Sequence, residues 1–588
     1  MRKIILCGLL AVANACTTAA PQLAPVSSPQ AGPMAPSRPV IAPPVFGEAI
    51  ARINPAVVTD IAVRLQQLPR TTIDYERSLL NENDRQVVAK LIEASRFLDE
   101  IFLRQTSVRN PEIKKQLEQA ATKSLLHRDA LELFRINMGP WDRLQNDEPF
   151  VAPFGAAGEK PPGGGFYQDG ITKTEVDDWI VKHPEDKTAI QGLFTVLKRR
   201  GDRIATVPYS QEYREFLVPA AARLREAAAL TTNASLKKYL NGRADAFLSD
   251  DYYESDLAWM DLDSPIEVVI GPYEVYEDNF FNYKAAFESF VTVVDAPESK
   301  KLTVYAKHLP DMERNLPIPD IHKNPNRGTS SPIKVVQELF VAGDARHGVQ
   351  TAAFNLPNDE RVRESKGSKK VLLKNVMEAK YRQSGQPIGM RVLDPSQTGL
   401  VNFDAYFNHV LFHELSHGLG PGMIKGPNGE KIENRLLLKE IHSTIEECKA
   451  DVLGVWNILY ALDHKLINSF NTDQLYATDA ALMFRSMRFG LNEAHGRGTA
   501  IQWNWYRERG AIVPAPEGRF RVDFAKMPGA VKDLANELLM IEATGDYKRG
   551  KALLEKYGRS NAEIDAMTAK LKDIPVDITP VFTAAGEQ

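Results

Sequence analysis

The feature that most constrains this chain is His413-Glu414-Leu415-Ser416-His417. Two histidines four residues apart can act together only from one face of a helix, one turn apart. The flanks agree with that demand. Apolar Val410, Leu411 and Phe412 lead in, and Gly418-Leu419-Gly420-Pro421-Gly422 follows, a composition that stops a helix. Imidazoles so placed can hold one zinc ion, with Glu414 beside them to accept a proton from bound water. Zinc needs a third protein ligand and, for catalysis, an open fourth position. A second acid-bearing element must therefore cross this helix. The next long helical segment, about 430 to 465, supplies acids. Glu440, Glu447 and Asp451 fall on one face at spacings of seven and four, and Glu446 lies off it. Periodicity alone does not choose between Glu440 and Glu447. Glu446, Glu447 and Asp451 sit among apolar Ile445, Val452, Leu453 and Val455, and buried acids need partners.

The rest of the chain bounds the possibilities. Its 588 residues are 43% hydrophobic and 25% charged, with a net charge of −4, which is ordinary globular composition. No basic run points to nucleic acid, and no Walker loop or Gly-rich dinucleotide fingerprint is present. Arg2 and Lys3, an apolar stretch from Ile4 to Ala13, and Ala13-Asn14-Ala15-Cys16 read as a lipoprotein export signal with Cys16 as the lipidated residue. An ordinary signal peptide cut at the same small-residue site is the alternative. Residues 17–45, rich in Pro, Ala and Ser, read as a disordered tether. Export and a lipid anchor on the periplasmic face of a Gram-negative outer membrane are the expected location. With Cys7 in the signal and Cys16 lipidated, Cys448 has no partner, so no disulfide framework is expected.

Helical spacing recurs at Asp84–Leu103, Glu112–Leu133 and Tyr213–Thr231, and a Gly/Pro-rich break spans Gly155 to Tyr167. Strand-like segments follow at Ile266–Tyr276, Phe287–Val294, Val336–Ala342 and Val349–Asn355, with a last one near Pro575–Phe582. The strands alone read as one sheet or barrel; taken together with the family resemblance given below, the fold expected is α+β in two lobes. One is mainly helical and carries zinc; the other is mixed, with a small β-barrel core, and a wide cleft separates them. In this division residues 46–294 form the mixed lobe, 295–338 a helical-lobe segment and 339–384 mixed-lobe strands. Residues 385–560 form the helical zinc lobe, and 561–588 return to the mixed lobe.

With its two zinc-type motifs, His413–His417 and Glu446-Glu447-Cys448-Lys449-Ala450-Asp451, the chain resembles the dipeptidyl peptidase III family. The likeness extends to Gly271-Pro272-Tyr273-Glu274-Val275-Tyr276 with Phe287–Phe290, to Phe354–Glu360, and to Glu493-Ala494-His495. It looks nearest a subgroup that includes the peptidase-like region of plant Nudix-fused proteins, although no Nudix box is present. The resemblance implies one zinc per chain held by His413, His417 and Glu447, with Glu446 and Asp451 orienting the rings. It implies Glu414 as general base, Tyr276 and His495 at the oxyanion, and Glu274, Asn355, Asn358 and Arg363 on the substrate. The implied activity is release of dipeptides from the N-terminus of short peptides. Three departures stand out: the zinc motif lacks the extra Gly of many members, Thr499 replaces a frequent Arg, and a C-terminal Arg-Lys pair has no counterpart. The competing expectations are another zinc aminopeptidase, or an inactive zinc-bearing lipoprotein that binds peptides.

Overall fold

The computed structural model describes residues 55–152, 158–324, 332–426, 429–491 and 494–587. The expected export signal, Cys16 and the tether lie outside these residues, as does Glu493. The protein is mixed α+β and rich in helix. No helix among the described residues is long and apolar enough to cross a membrane.

Strand β1 (Arg70–Ile73) precedes a 25-residue helix, α1 (Glu82–Thr106), started by Asn81, whose side chain accepts from Asp84 N. The periodic stretch 112–133 divides into two helices, Asn110–Ala121 and Leu125–Asn137. Helix α2 (Arg214–Leu230) packs along α1. Five strands then build one sheet: β2 (Ile266–Glu274), β3 (Ala286–Val294), β4 (Ile333–Gly343), β5 (Ala353–Leu356) and β6 (Lys369–Leu373). Helix α3 (Ala296–Arg314) connects β3 to β4. The strand order is β5-β6-β4-β3-β2, antiparallel except for the β4–β6 pair.

The expected barrel does not form. Strands β2 and β5 are edges of an open sheet. Only four residues of β5 pair, all with β6, and Pro357, which has no N–H, follows them. The gap to β2 is bridged by a side chain instead, where Asn358 Nδ2 donates to Tyr273 O at 3.1 Å. Lys334 on β4 and Lys369 on β6 nonetheless both reach Glu267 on β2 across the intervening strands.

Alternation along the strands sends side chains to two different cores. Val371, Leu373 and Phe354 join a cluster with α1, α2 and β3, whereas Leu372 and Ala353 join a larger, mostly helical cluster. The helical cluster is built by α4 (Phe403–Ser416), α5 (His442–Asp463), α6 (Thr472–Met487), α7 (Ala494–Glu508) and α8 (Met527–Thr544). A third, small core gathers Val57, Ile113, Phe134 and Phe150. The chain then returns as β7 (Thr579–Phe582), which pairs in parallel with β1, and buried Ile578 and Phe582 belong to the core of α1 and α2. Beside β7, Asp577 is fully buried against Lys380 at 2.9 Å.

Candidate metal centre and active site

Helix α4 begins at Asn402, whose side chain accepts from Ala405 N at 3.0 Å, a cap contributing about 1 kcal/mol. Its last turns carry His413, Glu414 and His417 onto α5, which crosses directly beneath. Small residues permit that close crossing. A Cβ on Gly454 of α5 would stand 3.2 Å from His413 N.

Each imidazole is fixed through its Nδ1. His413 Nδ1 donates to Asp451 Oδ1 and His417 Nδ1 to Glu446 Oε1, both at 2.7 Å. Ionised carboxylates only accept, so each ring keeps its hydrogen on Nδ1 and a lone pair on Nε2. The two Nε2 atoms lie 3.1 Å apart. Glu447 Oε2 stands 3.3 Å from His413 Nε2 and 3.7 Å from His417 Nε2, buried and without a hydrogen-bond partner. Ligands of a tetrahedral zinc with bonds of ~2.0 Å are spaced by about 3.3 Å. The three atoms therefore fit such an ion. His495 approaches the same carboxylate, with Nδ1 3.3 Å from Glu447 Oε2. The ligand-type atoms of His413, Glu447 and His495 lie within 4.8 Å of one another.

The electrostatics favour a cation. Burial pushes the His413 imidazole down, but Asp451 and Glu447 outweigh it and raise its affinity for a proton well above the usual value. Burial raises the carboxyls of Glu446, Glu447 and Asp451 as well, yet their cationic neighbours hold all three below the ordinary range. Lys449 Nζ stands 2.9 Å from Glu446 Oε1, and Gln502 Nε2 donates to Asp451 Oδ2 at 3.1 Å. Burial raises the Glu414 carboxyl too, and it is brought below the usual value first by Lys370 and then by the two histidines.

Glu274, Tyr276, His413, Glu414, Asp451 and His495 all border one cavity of about 1510 Å³. Its walls combine Phe290 and Phe354 from the sheet side with Leu482 and Met483 from α6. Burial raises the Glu274 carboxyl, opposed by hydrogen bonds from Asn358 and Tyr276. Tyr276 is 40% exposed. Asn358 Nδ2 lies 3.4 Å from Glu274 Oε1. Asn355, Asn358 and Arg363 are not among the residues bordering the cavity; Arg363 is ion-paired with Glu360 at 2.8 Å. Glu440 sits in a short 3-10 turn before α5, hydrogen-bonded to the Tyr547 hydroxyl and away from the metal-type cluster.

Three further residues belong to this setting. His409, one turn before His413, donates from Nε2 to Asp451 O at 3.1 Å. The repeated four-residue spacing of His409, His413 and His417 is the signal that marks it. Gln502 and Lys370 carry no such signal, since distant segments deliver them.

The chain is similar to known proteins over most of its length. The model of peptidase family M49 matches residues 198–435. The solved structure of DPP III from Caldithrix abyssi superposes with a TM-score of 0.84 at 50% identity, covering 89% of this chain and 98% of that one. The chain belongs to peptidase family M49. It is a metallopeptidase. DPP III from Corallococcus sp. strain EGB is similar to this M49 chain at 41% identity and a TM-score of 0.72, covering 90% of this chain and 97% of that one. Nudix hydrolase 3 of Arabidopsis thaliana is 36% identical over 570 residues, 89% of this chain and 74% of the relative. Dipeptidyl peptidase 3 of Homo sapiens is 24% identical over 407 residues, 59% of this chain and 54% of that protein.

Proposed function

We propose that this metallopeptidase uses one zinc ion, held by His413, His417 and Glu447, to release dipeptides from the N-terminus of short peptides. The observation that carries the proposal is the set of 3.1, 3.3 and 3.7 Å edges between the three ligand atoms, of which His413 borders the cavity together with Glu414. A zinc ion there supplies a Lewis acid that brings the pKa of water toward neutrality. Glu414 accepts the proton of the attacking water and returns one to the leaving amine. Tyr276 and His495 donate hydrogen bonds to the developing oxyanion, each well-placed donor lowering the barrier by about 3 kcal/mol. Glu274, with Asn358 beside it and Asn355 on the opposite edge strand, takes the free ammonium group and so fixes the cut two residues in. Arg363 contributes to the substrate side only if it leaves Glu360. The cavity exceeds the roughly 300–1,000 Å³ of small-molecule sites, which suits an extended peptide. We place the two main cores in two lobes that close over that peptide, and the body on a lipid anchor at Cys16 of an exported chain.

The decisive experiment digests one hexapeptide and follows products by mass spectrometry, with metal content measured in parallel. A dipeptide and a tetrapeptide should appear first, with one zinc per chain. Release of single residues, internal cuts, or equal turnover of the N-acetylated peptide would overturn the dipeptidyl reading. Glu414→Ala should keep zinc and lose turnover by at least about 100-fold.

A further inference from the structure

Consecutive lysines on β6 point to opposite faces of the sheet, as strand alternation requires. Lys369 turns to Glu267 and the Trp259 ring, within the sheet's own core. Lys370 turns the other way, toward α4. Its Nζ donates to Glu414 Oε2 at 2.8 Å and to the Glu414 backbone carbonyl at 3.1 Å. Both partner atoms belong to one residue. That carbonyl lies in the last turn of α4, where helix carbonyls lose their intrahelical donors. The cation also stands at the negative end of the helix dipole. Glu414 is thereby held at two points by a group that does not belong to its own helix, and the Lys370 side chain is mostly buried in doing so.

The strand that supplies this lysine matters as well. Lys370 is the register partner of Asn355 on the edge strand β5. Its backbone N–H is spoken for by Pro332 O at 2.9 Å, so β6 itself is fixed in place. One ladder rung therefore separates the general-base contact from the strand that borders the proposed ammonium site.

Resting on the base role proposed for Glu414, we infer that Lys370 is a positioning residue, which sets the Glu414 carboxylate from the sheet and ties its placement to the strands that receive the peptide. A displaced base of this kind costs turnover rather than affinity, since misplacement by about 1 Å can cost about 100-fold in rate.

The test compares Lys370→Met, Lys370→Gln and Lys370→Arg in the full-length enzyme. Each is assayed on a dipeptidyl-naphthylamide for kcat and KM, and for zinc affinity by chelator competition. The expected result for Lys370→Met is a kcat lower by about 10- to 100-fold. Its KM should stay within about twofold and its zinc affinity should be parental, because the lysine acts on a non-ligand residue. Lys370→Arg should recover part of kcat, since it restores a cationic donor. Lys370→Gln, which keeps a donor without charge, reports on the role even if the Met variant does not fold. Parental kcat in the Met or Gln variant would overturn the inference. So would a loss that follows zinc release or KM, or one confined to the melting temperature, because those mark a helix cap only. Glu414→Ala separates the two levels. If that variant turns over at the parental rate, the base assignment falls and Lys370 with it. If it is inactive while Lys370→Met is parental, only the positioning role falls.

Discussion

Asp451 divides its two oxygens between His413 Nδ1 and Gln502 Nε2, while Glu446 divides its contacts between His417 and Lys449. Neither acid is a proposed ligand, yet each decides which nitrogen its histidine presents. Asp451→Asn should lower zinc affinity by about 10- to 100-fold, measured by chelator competition, with the fold intact by circular dichroism. The histidine pair was legible in the sequence because a four-residue spacing is itself a helical statement. The third ligand was not legible from periodicity. Glu440 shares a face with Glu447 only if the helix runs unbroken, and α5 begins at His442, after a 3-10 turn that redirects Glu440 toward Tyr547. Family resemblance points to Glu447, whose Oε2 stands 3.3 Å from His413 Nε2. Lys370 was invisible for a different reason, because its partner lies 44 residues away and nothing local to β6 records it.

At the scale of elements, the strongest demand is that α4 and α5 cross closely. Gly454 meets that demand, since a Cβ there would stand 3.1 Å from the His409 ring and 3.2 Å from His413 N. Gly454→Leu should push the helices apart, costing about 1–3 kcal/mol of stability and at least tenfold in zinc affinity. Denaturant unfolding and metal titration of the same variant would measure both. Most strands were readable from β-branched and aromatic runs bounded by turn residues, as at Ile266–Glu274 and Ala286–Val294. Strand β6 was not foreseen. Its five residues, Lys-Lys-Val-Leu-Leu, are too few to show a period, and they gain a strand's identity by pairing in parallel with β4. The strand-like runs leave one sheet or a barrel open, and the expectation of a barrel comes with the family resemblance. Closure depends on whether the two edges meet, and here the seam is crossed by Asn358 rather than by a ladder. Helix boundaries erred in the same way at 112–133, where one apolar stripe conceals the Thr122–Ser124 break.

For the whole molecule, metal and pH act on stability through linkage. The proposed ligands come from two helices, so a bound ion joins them. Zinc in 100-fold excess over its Kd should stabilise the fold by about 2.7 kcal/mol, and a chelator should reverse it. Thermal melting with and without chelator would report the shift. A second effect comes from His347, buried far along the chain from the metal ligands. Burial, and then the adjacent Arg143 cation, push its imidazole down to about 3. The unfolded chain takes up that proton below its ordinary value of 6.5, whereas the folded chain refuses it until about pH 3. Stability therefore drains from this residue as pH falls from 6.5 toward 3. His347→Gln should flatten that limb by an amount on the order of 3 kcal/mol, measured by denaturant unfolding at pH 7 and pH 4.

The pairing of β1 with β7 gives the molecule a mechanical character. The two strands run parallel, and the chain enters at the head of one and leaves at the tail of the other. A force drawing the ends apart would slide the strands along each other, loading all their rungs at once instead of unzipping them singly. Helices α4 and α5 lie between the two strands in sequence, so a load taken up by this shear clamp would not reach them until it yields.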